Sequence, residues 1–167
     1  MADLAGSAIK IVTGRAADRG ALRPIVECWV RGRVSGRPLR NEVEAILDSI
    51  GSPATWHAVA VDGTTVLGVM GLTTPRPDVL PYALSERPGE IVHAFVDPAC
   101  GRRGVGSSLA RRIEDRAMTN GLTELLVRSG PRYEASGWPF WSARYGEPVA
   151  IERADRGSTA VWRKLLV

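Results

Sequence analysis

Lysine is nearly missing from this chain: of 22 basic residues only Lys10 and Lys164 are lysine, and the rest are arginine. Such a skew is a compositional habit more than a binding surface. The arginines are dispersed apart from Arg31, Arg33, Arg37 and Arg40, and 18 acidic residues hold the net charge to +4. No aromatic-basic motif accompanies them, so a nucleic-acid partner is not expected. Cysteine is scarce as well. Cys28 and Cys100 have neither metal-ligand nor redox spacing, and two thiols are no disulfide framework. Long apolar runs are absent: nothing approaches the ~20 residues that span a bilayer. Met1-Ala2-Asp3-Leu4 has neither the basic nor the apolar region of a signal peptide. The expectation is a reduced, cytoplasmic protein with no bound metal and no membrane partner.

What is present suits one globular domain. The 167 residues, 44% hydrophobic and 24% charged, are enough to close a single core. One domain is expected over 1–167, with 1–7 as a disordered tail. Ile9-Lys10-Ile11-Val12 reads as a first strand. Leu22, Ile25, Val26, Trp29 and Val30 then line one helix face, and Val43, Ile46, Leu47 and Ile50 line a second before Gly51. The intervening 31–40 is a loop. Strands at 56–61 and 66–72 flank Asp62-Gly63, a hairpin signal. Pro75, Pro77, Pro81 and Pro88 make 73–89 irregular, and loops of that length are usually functional. A strand at 90–96, a helix at 105–119 and a strand at 123–128 form a crossover unit. An aromatic helix at 138–145 and a closing hairpin, 149–152 with 159–165, complete the chain. The order β-α-α-β-β-β-α-β-α-β-β predicts an α/β (α+β) fold, a mixed sheet with helices upon it.

The stretch from Glu90 to Leu109 carries the chemistry. A strand ends at Asp97-Pro98, a glycine-rich turn follows, and a helix begins at once. The first turn of a helix has unpaired N–H groups and partial positive charge, and glycines allow close approach, so the place suits a phosphate. It is no Walker loop, since Gly104-Val105-Gly106-Ser107 lacks the lysine, and no dinucleotide fingerprint, since Leu109 stands where the third glycine belongs. The plainer alternative is a tight strand-to-helix turn that needs glycine for geometry alone.

Val96-Asp97-Pro98 followed by Arg102-Arg103-Gly104-Val105-Gly106 resembles motif A of the GNAT superfamily of N-acyltransferases, whose pattern is Gln/Arg-x-x-Gly-x-Gly/Ala. The element order is similar to that family's over almost the whole chain. The resemblance implies a mixed, mostly antiparallel twisted sheet flanked by helices, and acetyl-CoA as cosubstrate. By position, Arg102, Arg103, Gly104, Val105 and Gly106 would hold the pyrophosphate through backbone N–H groups, with Ser107 and Ser108 continuing into the helix. Phe95 and Val96 would pair with the pantetheine arm as an added strand does. Gly101 departs from the pattern, standing where the family has Gln or Arg.

The reaction the resemblance implies is acetyl transfer to a primary amine of a small molecule or peptide by direct attack in a ternary complex. It needs a base for the ammonium and an acid for the thiolate. Glu90 matches the family's glutamate at the start of the motif A strand. His93 is a second candidate base, with an ordinary pKa near ~6.5. Each has a plain reading too, a solvated strand-end carboxylate and a satisfied core histidine. The family's acid is a tyrosine in a Phe-Tyr-x-x-x-Gly-Phe helix. Phe140-Trp141-Ser142-Ala143-Arg144-Tyr145-Gly146 puts Trp141 or Ser142 at its position, leaving Tyr145 or Tyr133 as candidates. Acceptor recognition would fall to the arginine loop, with Arg33 and Arg37 pairing an anionic group. The proline-rich segment would serve as a lid or as a homodimer contact. The missing tyrosine also suits a rival, an acyl-CoA-binding regulatory module of the same fold without catalysis.

Overall fold

Gly63 takes a φ of +60° and turns the chain between β2 (Thr55–Asp62) and β3 (Thr65–Thr73). The turn residues are Gly63 and Thr64, one position beyond the Asp-Gly pair, so Asp62 stays at the strand end. The protein is described here by a computed structural model over residues 8–31 and 38–167. The expected tail at 1–7 lies outside the described residues. Before the hairpin come β1 (Lys10–Thr13), α1 (Arg19–Trp29) and α2 (Arg40–Ser49). After it come β4 (Pro88–Val96), α3 (Val105–Thr119), β5 (Glu124–Ser129), α4 (Gly137–Tyr145), β6 (Ala150–Ala154) and β7 (Gly157–Leu165). The strands form one seven-stranded sheet in the order β1-β2-β3-β4-β5-β7-β6. β1/β2, β5/β7 and β6/β7 pair antiparallel, and β4/β5 pair parallel with α3 in the crossover. The mixed sheet and its element order are those expected.

By internal contact the chain divides into two compact units. The first comprises residues up to Gly71 together with His93–Ile113. Leu22 and Val26 of α1, Val43 and Leu47 of α2, and Ala58, Val59, Ala60 and Val69 of the hairpin are buried in it. Helical periodicity put those residues on one face, and burial of that face is what stabilises short helices. α1 and α2 are tied by Arg23, which grips both carboxylate oxygens of Glu44 at 2.7 and 3.1 Å. Arg19 closes the other end of α2, donating to the carbonyls of Asp48 at 2.9 Å and Ile50 at 2.8 Å. Those are acceptors that a helix C-terminus leaves open.

The second unit comprises Leu72–Val92 and Glu114–Val167, with Leu125, Leu126, Val127, Trp141, Val161 and Trp162 in its core. It also fastens the proline-rich segment. Glu124 is fully buried and accepts from the N–H groups of Leu84 at 3.0 Å and Ser85 at 2.9 Å. Arg163 donates to the Tyr82 carbonyl at 2.9 Å. A short 3-10 turn, Leu80–Tyr82, lies within a stretch expected to be wholly irregular, and β4 begins at Pro88, two residues early. Backbone groups satisfied by carboxylates can be ordered without a sheet ladder.

Candidate active site

β4 pairs with β5 only from Pro88 to Ile91. At His93 the backbone takes a φ of +53°, a left-handed conformation uncommon for any residue but glycine. The pleat is broken there, and the strand continues to Val96 within the first unit. Phe95 is buried, and the Asp97 N–H donates to the Leu67 carbonyl at 2.8 Å, which holds the strand end against β3. Asp97 also caps the short turn Pro98–Cys100, its carboxylate accepting from the Ala99 N–H at 2.9 Å.

The turn into α3 contains two further left-handed residues, Arg102 at φ +62° and Gly104 at +75°. The first helical hydrogen bond runs from the Ser108 N–H to the Gly104 carbonyl at 3.0 Å. The N–H groups of Val105, Gly106 and Ser107 therefore precede any intrahelical acceptor. A Cβ built on Gly104 meets no atom within 4 Å, so the space beside these donors is open. Val105, Leu109, Ile113 and Ala117 are all buried, which fixes the helix beneath its N-terminus. A set of convergent backbone donors with open space before it fits the pyrophosphate of a coenzyme A thioester.

Two expected contributions to this cradle are already committed. Arg103 donates through Nη2 to the Asp62 carboxylate at 2.7 Å, and its N–H reaches the Cys100 carbonyl at 3.3 Å. It braces the turn on the β2–β3 hairpin. Ser108 has spent its N–H on the helix. The Val96 carbonyl, expected to pair with pantetheine, accepts from the Trp29 indole at 2.7 Å. Trp29 was legible in the sequence only as a core position of α1.

His93 is half-buried, and its Nδ1 lies 3.0 Å from Nε2 of His57, with the planes of the two rings 4° from parallel. His57 is buried, and that burial pushes its pKa down to about 4, so the ring is neutral near pH 7. No sequence signal joined β2 to His93.

Glu90 and Tyr145 belong to the second unit. Glu90 is 0% exposed, and Arg76 donates to it from its backbone N–H and from Nε, both at 2.9 Å. Both oxygens are engaged, and the side chain is fully buried. Glu90, the expected base, is therefore paired with Arg76 on both oxygens in this structure. Tyr145 donates to Glu114 at 2.8 Å, and Arg144 holds the same carboxylate at 2.9 Å. Burial raises the Tyr145 pKa, and its hydroxyl is directed at the Glu114 carboxylate. At the alternative positions, Trp141 is buried and Ser142 accepts from Trp162 Nε1 at 3.3 Å. Arg33 and Arg37 lie outside the described residues. The ends of their loop are joined by the Arg31–Pro38 β-bridge. Among the described residues no cluster of three or more metal-ligating side chains occurs, and no helix is long and apolar enough to cross a membrane.

A mixed sheet whose central strand runs through a glycine turn to a helix N-terminus defines an α/β protein with a place suited to an anion. The model of the Acetyltransferase (GNAT) family matches residues 25–137, and the chain belongs to that family. No curated protein matches this sequence. Solved structures share the fold at low identity. An N-acetyltransferase from Staphylococcus aureus Mu50 is 18% identical, with a TM-score of 0.72, over 96% of this chain and 100% of that one. The PaiA N-acetyltransferase from Thermoplasma acidophilum, in complex with coenzyme A, is 15% identical, with a TM-score of 0.63, over 95% and 99%. YncA from Salmonella typhimurium, solved with its cofactor acetyl-CoA, is 15% identical, with a TM-score of 0.68, over 96% and 95%.

Proposed function

We propose that this chain transfers an acetyl group from acetyl-CoA to a primary amine of a small molecule or protein, by direct attack in a ternary complex. The observation that carries the reading is the turn at 101–106. Two left-handed residues there lead into the unpaired N–H groups that open α3, and the space beside Gly104 is open. Those donors suit the pyrophosphate of the cosubstrate, and His93 stands on the strand that leads into them.

His93 is the base in this reading, since the carboxylate of Glu90 is engaged by Arg76. The acceptor ammonium gives a proton to His93. The freed nitrogen pair forms an N–C bond to the thioester carbonyl, and the C–S bond breaks. The leaving thiolate takes up the second proton lost by the nitrogen. One proton is released overall, by way of His93, and the products are the amide and free coenzyme A. Release of free thiol across a panel of polyamines, aminoglycosides, amino acids and peptide N-termini tests this. His93→Gln is expected to lower kcat by about 10²-fold with acetyl-CoA binding retained.

A second reading rests on the acid. Trp141, Ser142 and Tyr145 all have structural contacts, which suits an acyl-CoA-binding regulatory module without turnover. Turnover with any amine excludes it. Acetyl-CoA binding with no turnover across the panel supports it.

A further inference from the structure

The carbonyl at the end of β4 already has a donor. The peptide between Val96 and Asp97 is trans, and in a trans peptide the carbonyl points opposite to the following N–H. The Asp97 N–H donates to Leu67 of β3 at 2.8 Å, so the Val96 carbonyl faces away from β3. Gly68 fixes that arrangement. A Cβ there would meet the Phe95 carbonyl at 2.8 Å, so a side chain would push the end of β4 off β3. On the outer edge of β4 the ladder to β5 stops at Ile91, and Ala94 is exposed. Yet the Val96 carbonyl on that edge accepts from the Trp29 indole at 2.7 Å.

We propose that Trp29 is an autoinhibitory gate: its indole N–H stands in the place of a pantetheine amide on the edge of β4 and must leave before the arm of acetyl-CoA can pair there. This rests on the acetyl-CoA reading of the turn before α3. Pantetheine carries amide groups on an extended chain, and such a chain pairs with an open strand edge as another strand does. A pyrophosphate at the start of α3 would fix one end of the arm. β4 leads directly into that turn, which brings the arm along its outer edge. Paired strands lie ~4.7–4.9 Å apart. An indole nitrogen 2.7 Å from the carbonyl oxygen, with the rest of its ring behind it, stands in that lane. Like an amide N–H, the indole N–H is a donor only, so it supplies the same half of a ladder bond.

The contact is also built to be broken. Leu22, Ile25 and Val26 anchor α1 in the core, whereas Trp29 is its last residue and is half-buried. The ring can turn off the carbonyl without shifting the helix, and water can then take up its N–H. While cosubstrate is absent the indole covers a strand-edge carbonyl that would otherwise invite pairing with another chain. The exchange costs about the net worth of one hydrogen bond, a factor of about 3 to 10 in affinity.

Trp29→Phe keeps an aromatic ring and removes the donor. Calorimetric titration should show acetyl-CoA bound about 3- to 10-fold more tightly by the variant. ADP, which has the pyrophosphate but no pantetheine, should bind both proteins equally. Acetyl-CoA affinity equal to or below wild type overturns the proposal. An equal gain for ADP overturns it too, because the effect would then lie at the turn. NMR of the wild-type chain supplies a readout that does not depend on the variant folding. The Trp29 indole 1H–15N signal should move upfield on saturation with acetyl-CoA, as a bond to a carbonyl is lost, and stay in place with ADP. A signal unmoved by bound acetyl-CoA overturns the gate while leaving the cosubstrate reading intact. Failure of the wild type to bind either nucleotide would sink the cosubstrate reading itself, and the gate with it.

Discussion

Arg76 holds Glu90 through its backbone N–H and its guanidinium together, one on each carboxylate oxygen, each at 2.9 Å. The carboxylate is fully buried while the Arg76 side chain is half exposed. Loss of the charge therefore leaves an arginine that water can reclaim, and the cost falls below that of an enclosed pair. Glu90→Gln should destabilise the protein by about 2 kcal/mol while kcat per folded molecule changes little. Urea unfolding beside steady-state kinetics measures both. A collapse of kcat at unchanged stability would restore Glu90 as the base.

Gly104 should be the most sensitive position for cosubstrate binding. Its φ of +75° strains any side chain, and a carboxylate there would occupy the open space before the α3 donors. Gly104→Glu should stay folded and weaken acetyl-CoA binding by more than ~2 kcal/mol, since misdirected donors and added negative charge act together. Calorimetric titration reads the affinity. An unchanged value would make the turn purely structural.

Arg103 offers a test of opposite sign. Its guanidinium is spent on Asp62, so Asp62→Asn should free a cation beside the turn and tighten acetyl-CoA binding. The gain should shrink as salt rises, because the pair is largely exposed. Affinity equal to wild type at low salt would mean that Arg103 cannot reach the ligand.

Tyr145→Phe separates a structural hydroxyl from a catalytic one. It removes the bond to Glu114 while Arg144 continues to satisfy that carboxylate. The expected cost is about 1 kcal/mol of stability with turnover retained. A loss of turnover of about 10²-fold would reinstate Tyr145 as the acid.

His57 should make the fold acid-sensitive. Its pKa is about 4 when folded and near ~6.5 when unfolded. Between those values the unfolded chain binds a proton that the folded ring does not. Stability therefore falls as pH drops from about 6.5 to about 4, by at most about 3 kcal/mol from this ring. His93 is the titratable group whose ring meets that of His57. His57→Gln should flatten the slope of unfolding free energy across that window, and a slope identical to wild type would contradict the burial argument.

Much of this protein was decided locally, and local decisions are legible in sequence. The 3.6-residue spacing of Leu22, Ile25 and Val26 and of Val43, Ile46 and Leu47 specified two helices, because burying one face is what makes such helices stable. Asp97-Pro98 and the glycines at 101, 104 and 106 specified a strand-to-helix turn, since cap and left-handed φ belong to neighbouring residues. Side-chain partnership is different in kind, because it depends on distance in space. Arg76 and Glu90 are 14 residues apart, His57 and His93 are 36, and Trp29 and Val96 are 67. No spacing rule joins such pairs. The sequence by itself therefore determined the element order and the strand-to-helix turn before α3. Only the tertiary structure decided that Glu90 is sealed by an arginine, that Trp29 occupies the Val96 carbonyl, and that a histidine buried on β2 meets the one at the break in β4. Each of those outcomes turns on which polar atoms find a partner once water is excluded, and exclusion of water is a property of the packed chain.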